Sequence, residues 1–376
     1  HNPALMFRKS NLLILLFIYP FCVLGQNTMV KLMPMPQQVT WGSQRFNLDQ
    51  SFHVVLSDLP DTRAHKAVSR FLRRFNDRTH LMTRIDPARK SGDIQGVSLD
   101  INYQRVGNLL PGEDESYELN VTGDRVTLTA ITDLGVIYGL ETFLQLVSSD
   151  SQGYYIPGVS IKDRPRFPWR GLLIDVCRHW SPIEVIKRNI DGMCMVKMNV
   201  LHLHLTEDQG FRIESKKRPK LHLMGSNGDF YTQEQMREII RYASDRGIRV
   251  VPEFDIPGHA SSWMPGYPEL ASGPGPHQIE RKFGVFDPTI DPTKKATYKL
   301  LDCFLGEMAD LFPDPYMHIG GDENNGKQWD KNPRIQEFMR KHGIKDNHAL
   351  QNHFNKKVMA ILKKHGKKTI GWDEIL

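Results

Sequence analysis

Residues His318-Ile319-Gly320-Gly321-Asp322-Glu323 set two adjacent carboxylates behind a pair of glycines. Two acids held in one pocket push their proton affinities apart, so one stays protonated while the other stays charged. Cleavage of a glycosidic bond uses that division, because the leaving oxygen must receive a proton as the sugar ring gains positive charge. Neighbouring side chains on a regular strand point to opposite faces, so Asp322 and Glu323 share a pocket only where the strand ends or bulges. The Gly320-Gly321 pair permits such a turn. The bland alternative is a surface turn with two solvated acids, and spacing alone does not separate the two.

Three further clusters carry reactive side chains. His202-Leu203-His204-Leu205-Thr206-Glu207-Asp208 puts two histidines on one strand face and leucines on the other. A His-x-His pair on a barrel strand binds zinc in some hydrolases, or fills a polar barrel interior by hydrogen bonding. Strand parity sets Asp208, rather than Glu207, on the histidine face. Glu253-Phe254-Asp255-Ile256-Pro257-Gly258-His259 runs into a Pro-Gly turn, where a lone His259 reads as structural. Asp175-Val176-Cys177-Arg178-His179-Trp180 offers Arg178, suited to grip hydroxyls or a carboxylate or to pair with a nearby acid. Trp372 has a ring to stack on a sugar or on core, and its place at the end of a strand-like run favours the sugar.

Each cluster falls at or just after an apolar run that reads as a strand: 171–176, 199–205, 248–254, 316–320 and 369–372. Amphipathic stretches predicted as helices lie between them, at 182–197, 232–246, 294–312 and 347–365. This alternation means a parallel sheet, either doubly wound or closed into a barrel. In a barrel the strand ends gather at one face, where barrel active sites are built. No Gly-rich phosphate-binding signature follows the first strand, which argues against a nucleotide site. Five strands are counted before Leu376, and a closed eight-stranded barrel needs three more, so the expectation is a barrel cut short. Upstream, residues 31–162 mix β-rich runs at 52–56, 97–101 and 126–130 with helical stretches at 63–77 and 134–147, a compact α+β domain. Asp163-Arg164-Pro165-Arg166-Phe167-Pro168 reads as the junction.

Composition narrows the class. In 376 residues, 40% hydrophobic and 24% charged content is that of an ordinary globular protein. The net charge of +6 is scattered rather than gathered into the stripe that nucleic acid requires. Residues 6–25, a short basic segment followed by an apolar run from Leu12 to Phe21, read as a secretory signal peptide; the run is short for a membrane span. The expected location is therefore secreted or periplasmic, or lysosomal in a eukaryote. Cys177, Cys194 and Cys303 form no disulfide framework.

Together these motifs resemble glycoside hydrolase family 20, the β-N-acetylhexosaminidases, over about Pro34 to Leu376. Leu32-Met33-Pro34-Met35-Pro36-Gln37-Gln38 looks like that family's usual entry. The resemblance implies a (β/α)8 TIM-type barrel at 167–376, truncated after about five strands, behind the small α+β domain at 31–162. It implies an exo-acting enzyme that removes terminal β-linked N-acetylhexosamine by a retaining, substrate-assisted route, a known exception to the two-carboxylate scheme. By resemblance, Glu323 is the general acid/base and Asp322 holds and polarises the 2-acetamido group. Arg178 binds sugar hydroxyls at the pocket floor, Glu207 and His259 form a pair that supports the catalytic Glu, and Trp372 is one wall of an aromatic pocket. Many members carry Asp where Glu207 stands. The implied partners are N-acetylhexosamine-terminated oligosaccharides or glycoconjugates, with no metal or organic cofactor. Two rivals stand beside this reading: a metal-dependent barrel hydrolase using His202 and His204, and a non-catalytic sugar-binding protein.

Overall fold

A computed structural model describes residues 31–86 and 97–375. The leader read at 6–25 lies outside the described residues. The N-terminal part runs β1 (Gln38–Leu48), β2 (His53–Val55), α1 (Arg63–Thr79), β3 (Ile85–Asp86), β4 (Ser98–Arg105), β5 (Tyr117–Val121), β6 (Val126–Thr132), α2 (Asp133–Leu146), β7 (Ser148–Asp150) and β8 (Gly153–Asp163). Its sheet is ordered β1-β8-β5-β6-β4-β2-β3, with β7 paired to β8. β1, β8, β5 and β6 pair antiparallel; β6, β4, β2 and β3 pair parallel.

Helix α1 places Ala64, Ala67, Val68, Phe71, Leu72 and Phe75 on one stripe, the spacing of an amphipathic helix. Thr62 caps it by accepting from the His65 amide. Phe71 and Phe75 join Phe52 and Phe143 in an aromatic core. Helix α2 is buried on nearly every side, as expected of a helix that packs on two neighbours at once. At Gly139 a Cβ would meet Leu128 of the sheet at 2.2 Å. Its other side meets the second part of the chain, where the Tyr138 hydroxyl donates to Glu115 (3.0 Å) and accepts from Arg170 (3.1 Å). Glu115 also takes Arg170 (2.9 Å) and the Asn199 amide (3.1 Å). A buried polar junction thus ties the two parts together.

The second part is a run of β/α units: β9 (Gly171–Asp175), α3 (Ile183–Met195), β10 (Val200–Glu207), β11 (Gly210–Phe211), α4 (Lys220–Gly225), α5 (Gln233–Ser244), β12 (Arg249–Phe254), α6 (Lys295–Leu311), β13 (Tyr316–His318), α7 (Lys327–Lys331), α8 (Pro333–His342), α9 (Asn347–Lys364) and β14 (Lys368–Ile370). β9, β10, β12, β13 and β14 are neighbours in that order and all parallel. They are five successive strands of a (β/α) barrel behind a small α+β domain. Leu201, Leu203 and Leu205 of β10 are fully buried, while His202 and His204 turn to the polar interior with Glu253 of β12. The fourth strand run stops at His318, two residues before its apolar stretch does, because Gly320 and Gly321 leave extended geometry with φ of 65° and 93°. Among the described residues no helix is long and apolar enough to cross a membrane.

Candidate active site

Five loops at the C-terminal ends of these strands carry the reactive groups. At the end of β9, Asp175 caps the turn by accepting from the amides of Cys177 (2.9 Å) and Arg178 (3.0 Å). The same carboxylate binds the Arg178 guanidinium at 2.7 Å. The other guanidinium nitrogen reaches Glu207 at 3.0 Å.

Glu207, at the end of β10, is wholly buried and is the hub of the site. Its carboxylate takes Arg178, His204 Nε2 at 3.0 Å and His259 Nδ1 at 2.7 Å. The parity reading that gave the histidine face to Asp208 is corrected here. The β10–β12 pairing shifts register between His204 and Thr206, which breaks the alternation and brings Glu207 round to His204. Asp208 turns instead to Ser261, accepting from its amide at 2.9 Å and its hydroxyl at 2.5 Å. Burial alone would raise the pKa of Glu207, but hydrogen bonds from His204 and His259 bring it down to about 2. Burial likewise works against a charged His259, yet the carboxylates of Asp208 and Glu207 push its pKa up to about 11. Glu207 and His259 therefore form an ion pair at neutral pH.

The other nitrogen of His259 faces the acid pair. Nε2 stands 3.4 Å from Glu323 and 3.8 Å from Asp322, at ion-pair distance without hydrogen-bond geometry. Both acids converge on one point because the backbone beyond β13 abandons strand alternation: Gly320, Gly321 and Glu323 all have positive φ, 51° at Glu323. His259 too is left-handed, with φ 50°. Such values are uncommon outside glycine and cluster where a surrounding structure enforces them. The enforcement is visible here. Gly321 donates its amide to Asp255 (3.0 Å) and its carbonyl accepts from Gln351 of α9 (2.6 Å), while the Gly320 carbonyl accepts from the Trp372 amide (3.0 Å). A Cβ at Gly320 would sit 1.8 Å from Asp255, so only glycine fits. Glu323 keeps 53% of its side chain exposed and Asp322 24%, so the pair opens to solvent.

Beneath the loop lies a second acid, Asp255, fully enclosed. Burial, then the charges of Asp322 and Glu253, hold its pKa well above the usual carboxylate range. One of its oxygens and one of Asp322 are buried without a partner.

Deeper still, Glu253 is hydrogen-bonded to His202 (2.6 Å) and accepts from the Trp372 indole (3.1 Å), with His204 (3.0 Å) and His318 (3.3 Å) at ion-pair distance; the Nδ1 of His318 accepts from the Gly320 amide. Trp372 also lies 4.8 Å from the His318 ring and 6.0 Å from that of His202, and is 37% exposed. Arg178, Glu207, His259, Asp322 and Glu323 thus form one connected set, and Trp372 sits apart with Glu253. His202, Glu253 and His318 have ligand atoms within 4.8 Å of one another, but an ion there would have to displace hydrogen bonds already made.

Sequence reasoning passed over four residues at this face. Asp175, Glu253 and Asp255 lay in segments singled out for other reasons, and their roles depend on pairings across strands. Phe283 lies in an irregular stretch with no period to mark it; it is 90% exposed, and the Arg178 guanidinium lies 5.8 Å from its ring centre.

Residues 167–376 match the model of glycosyl hydrolase family 20, catalytic domain, and residues 29–164 that of glycosyl hydrolase family 20, domain 2. A β-hexosaminidase of Porphyromonas gingivalis is 37% identical over 371 residues, 92% of this chain and 46% of that protein. The chain spans about half the length of the curated relatives it matches. Among solved structures, a chitobiase of Flavobacterium johnsoniae is 46% identical with a TM-score of 0.86, covering 92% of this chain and 52% of that one. An exo-β-N-acetylglucosaminidase of Vibrio harveyi, solved with N-acetylglucosamine, is 30% identical with a TM-score of 0.74, covering 91% and 55%.

Proposed function

The chain belongs to glycosyl hydrolase family 20, and from that premise we propose that the protein is an exo-acting hydrolase of terminal β-linked N-acetylhexosamine. The observation that carries the reading is the convergence of Asp322 and Glu323 on the free nitrogen of His259, at 3.8 and 3.4 Å. In this reaction the carbonyl oxygen of the substrate's own acetamide attacks the anomeric carbon as the bond to the leaving oxygen breaks. Glu323 gives its proton to that oxygen. Asp322 holds the acetamide N–H and balances the positive charge of the resulting oxazolinium. Water then opens the ring, losing its proton to Glu323, and configuration is retained. Arg178, fixed by Asp175 and Glu207, presents the rest of its guanidinium to sugar hydroxyls. Charged His259, anchored on Glu207, steadies Glu323 whenever it is ionised. Trp372 supplies an apolar wall. The substrates are N-acetylhexosamine-terminated oligosaccharides or glycoconjugates, and the leader at 6–25 supports an exported protein.

The test uses the full-length gene product and an aryl N-acetyl-β-glucosaminide. Early release of the β-anomer by NMR, with no turnover of the aryl β-glucoside that lacks the acetamide, is the expected result. Equal turnover of both glycosides removes the acetamide from the mechanism, and loss of activity on chelation favours the metal-dependent rival.

A further inference from the structure

Beside the loop that carries Asp322 and Glu323 lies a groove of about 860 Å³ that the reaction above does not use. Its walls are the loop after β12 and the turn from α7 into α8. Lys294, Lys327, Lys331 and Arg334 line it against one carboxylate, Asp287. Behind them, buried Asp291 takes Lys294 at 3.3 Å and Arg334 at 3.1 Å. Four cations thus meet two carboxylates. Lys331 makes no ion pair or hydrogen bond among the described residues. Lys327 is paired with Asp287, but both side chains are largely exposed, at 59% and 44%, and exposed pairs of this kind contribute little and rearrange readily; Arg334, held by buried Asp291, still leaves 63% of its side chain exposed. Ser272 lines the wall at 4% exposure, and its buried hydroxyl has no hydrogen-bond partner. Pro265, Pro268, Pro274, Pro276 and Pro333 stiffen the rim, which lowers the ordering cost of binding.

The groove adjoins the reaction centre through shared residues. Asp287 is held by the Asn325 amide and by Lys327, each at 3.0 Å. Asn325 lies two residues beyond Glu323, at most about 7 Å along the chain. A saccharide with its terminal sugar at Glu323 therefore has its next units within reach of the groove. We propose that this groove binds a negatively charged sugar, bearing sulfate or carboxylate, in the part of the glycan beyond the residue removed.

The proposal rests on the hydrolase reading, and the experiment separates the two. Chitobiose with and without a sulfate on its reducing-end sugar is hydrolysed by the full-length gene product and by its Lys331→Glu variant, with the neutral aryl glycoside as control. Calorimetric titration with a heparin-derived tetrasaccharide is run on both proteins, with inorganic sulfate as competitor. The expected result is a lower KM for the sulfated disaccharide, lost by about tenfold in Lys331→Glu, with kcat and the aryl glycoside unchanged. Tetrasaccharide binding weakens in step. Identical KM for the two disaccharides, or binding that Lys331→Glu leaves unchanged, overturns the proposal. Displacement by inorganic sulfate at equal concentration overturns the sugar part of it. Tetrasaccharide binding that Lys331→Glu abolishes, in a protein that hydrolyses no glycoside, supports the groove and removes the hydrolase reading instead.

Discussion

Two histidine–carboxylate clusters stand one above the other in this barrel, and they are built on opposite terms. The inner one is closed: Glu253 takes three imidazoles and an indole, and burial leaves it no contact with solvent. The outer one is open: Glu323 is half exposed, His259 Nε2 and one Asp322 oxygen are buried without partners, and His259 and Glu323 both hold left-handed backbone. Satisfied polar networks rigidify a fold, while groups left unpaired in a buried site retain their capacity for a ligand. His204 belongs to both clusters, hydrogen-bonded to Glu207 above and at ion-pair distance from Glu253 below.

If that contrast holds, each cluster fails differently when altered. Glu323→Gln should lower turnover of a poor-leaving-group substrate by about 10²–10⁴-fold, the contribution of a positioned acid, while leaving the melting temperature unchanged. A drop in melting temperature would show that Glu323 also belongs to the frame. Glu253→Leu should do the reverse, because it strands buried donors: stability by chemical denaturation should fall by about 3–5 kcal/mol. A cooperative, undiminished unfolding transition would break the comparison outright.

The Glu207–His259 pair gives a pH signature. Glu207 titrates near 2 against an ordinary 4.5, so its contribution is full above pH 4.5 and disappears as pH falls through about 2. His259 titrates near 11 against 6.5, so its contribution is full below pH 6.5 and declines as pH rises to about 11. The melting-temperature gap between the wild-type protein and Glu207→Gln should therefore be widest between pH 4.5 and 6.5 and narrow on either side. A gap that does not vary with pH would mean the pair is not ionic. The smallest effect is expected at Asp255, whose burial favours the neutral acid: Asp255→Asn keeps the shape of that neutral form, so kcat should fall less than about tenfold. A loss as large as that of Glu323→Gln would assign Asp255 a charge, and with it a place in the reaction.

The barrel strands were legible because 199–205 and 248–254 are apolar over lengths that suit buried parallel strands, and glycines or charged turns end them. Strands β1, β5 and β8 were not, because Gln38–Leu48 alternates weakly and its partners lie up to 124 residues away, as with Gln38 opposite Lys162. Helices α4, α7 and α8 were also passed over, the first two being too short to show a period. At the site, the reactive residue types were readable and their partners were not. Glu207 lies beside His259 and on the face that parity denied it, since one register shift at His204–Thr206 undoes a counting rule that assumes a regular strand.

Left-handed Glu323 has a consequence for how such a protein changes under selection. A glutamate at φ 51° holds backbone strain of about 1–2 kcal/mol that glycine would release. Under the proposed function, the residue best for folding and the residue suited to proton transfer at this position are different amino acids. A library of variants screened only for heat resistance should therefore enrich glycine at 323, and its hardiest members would be catalytically silent. A parallel selection on product formation should instead keep glutamate there.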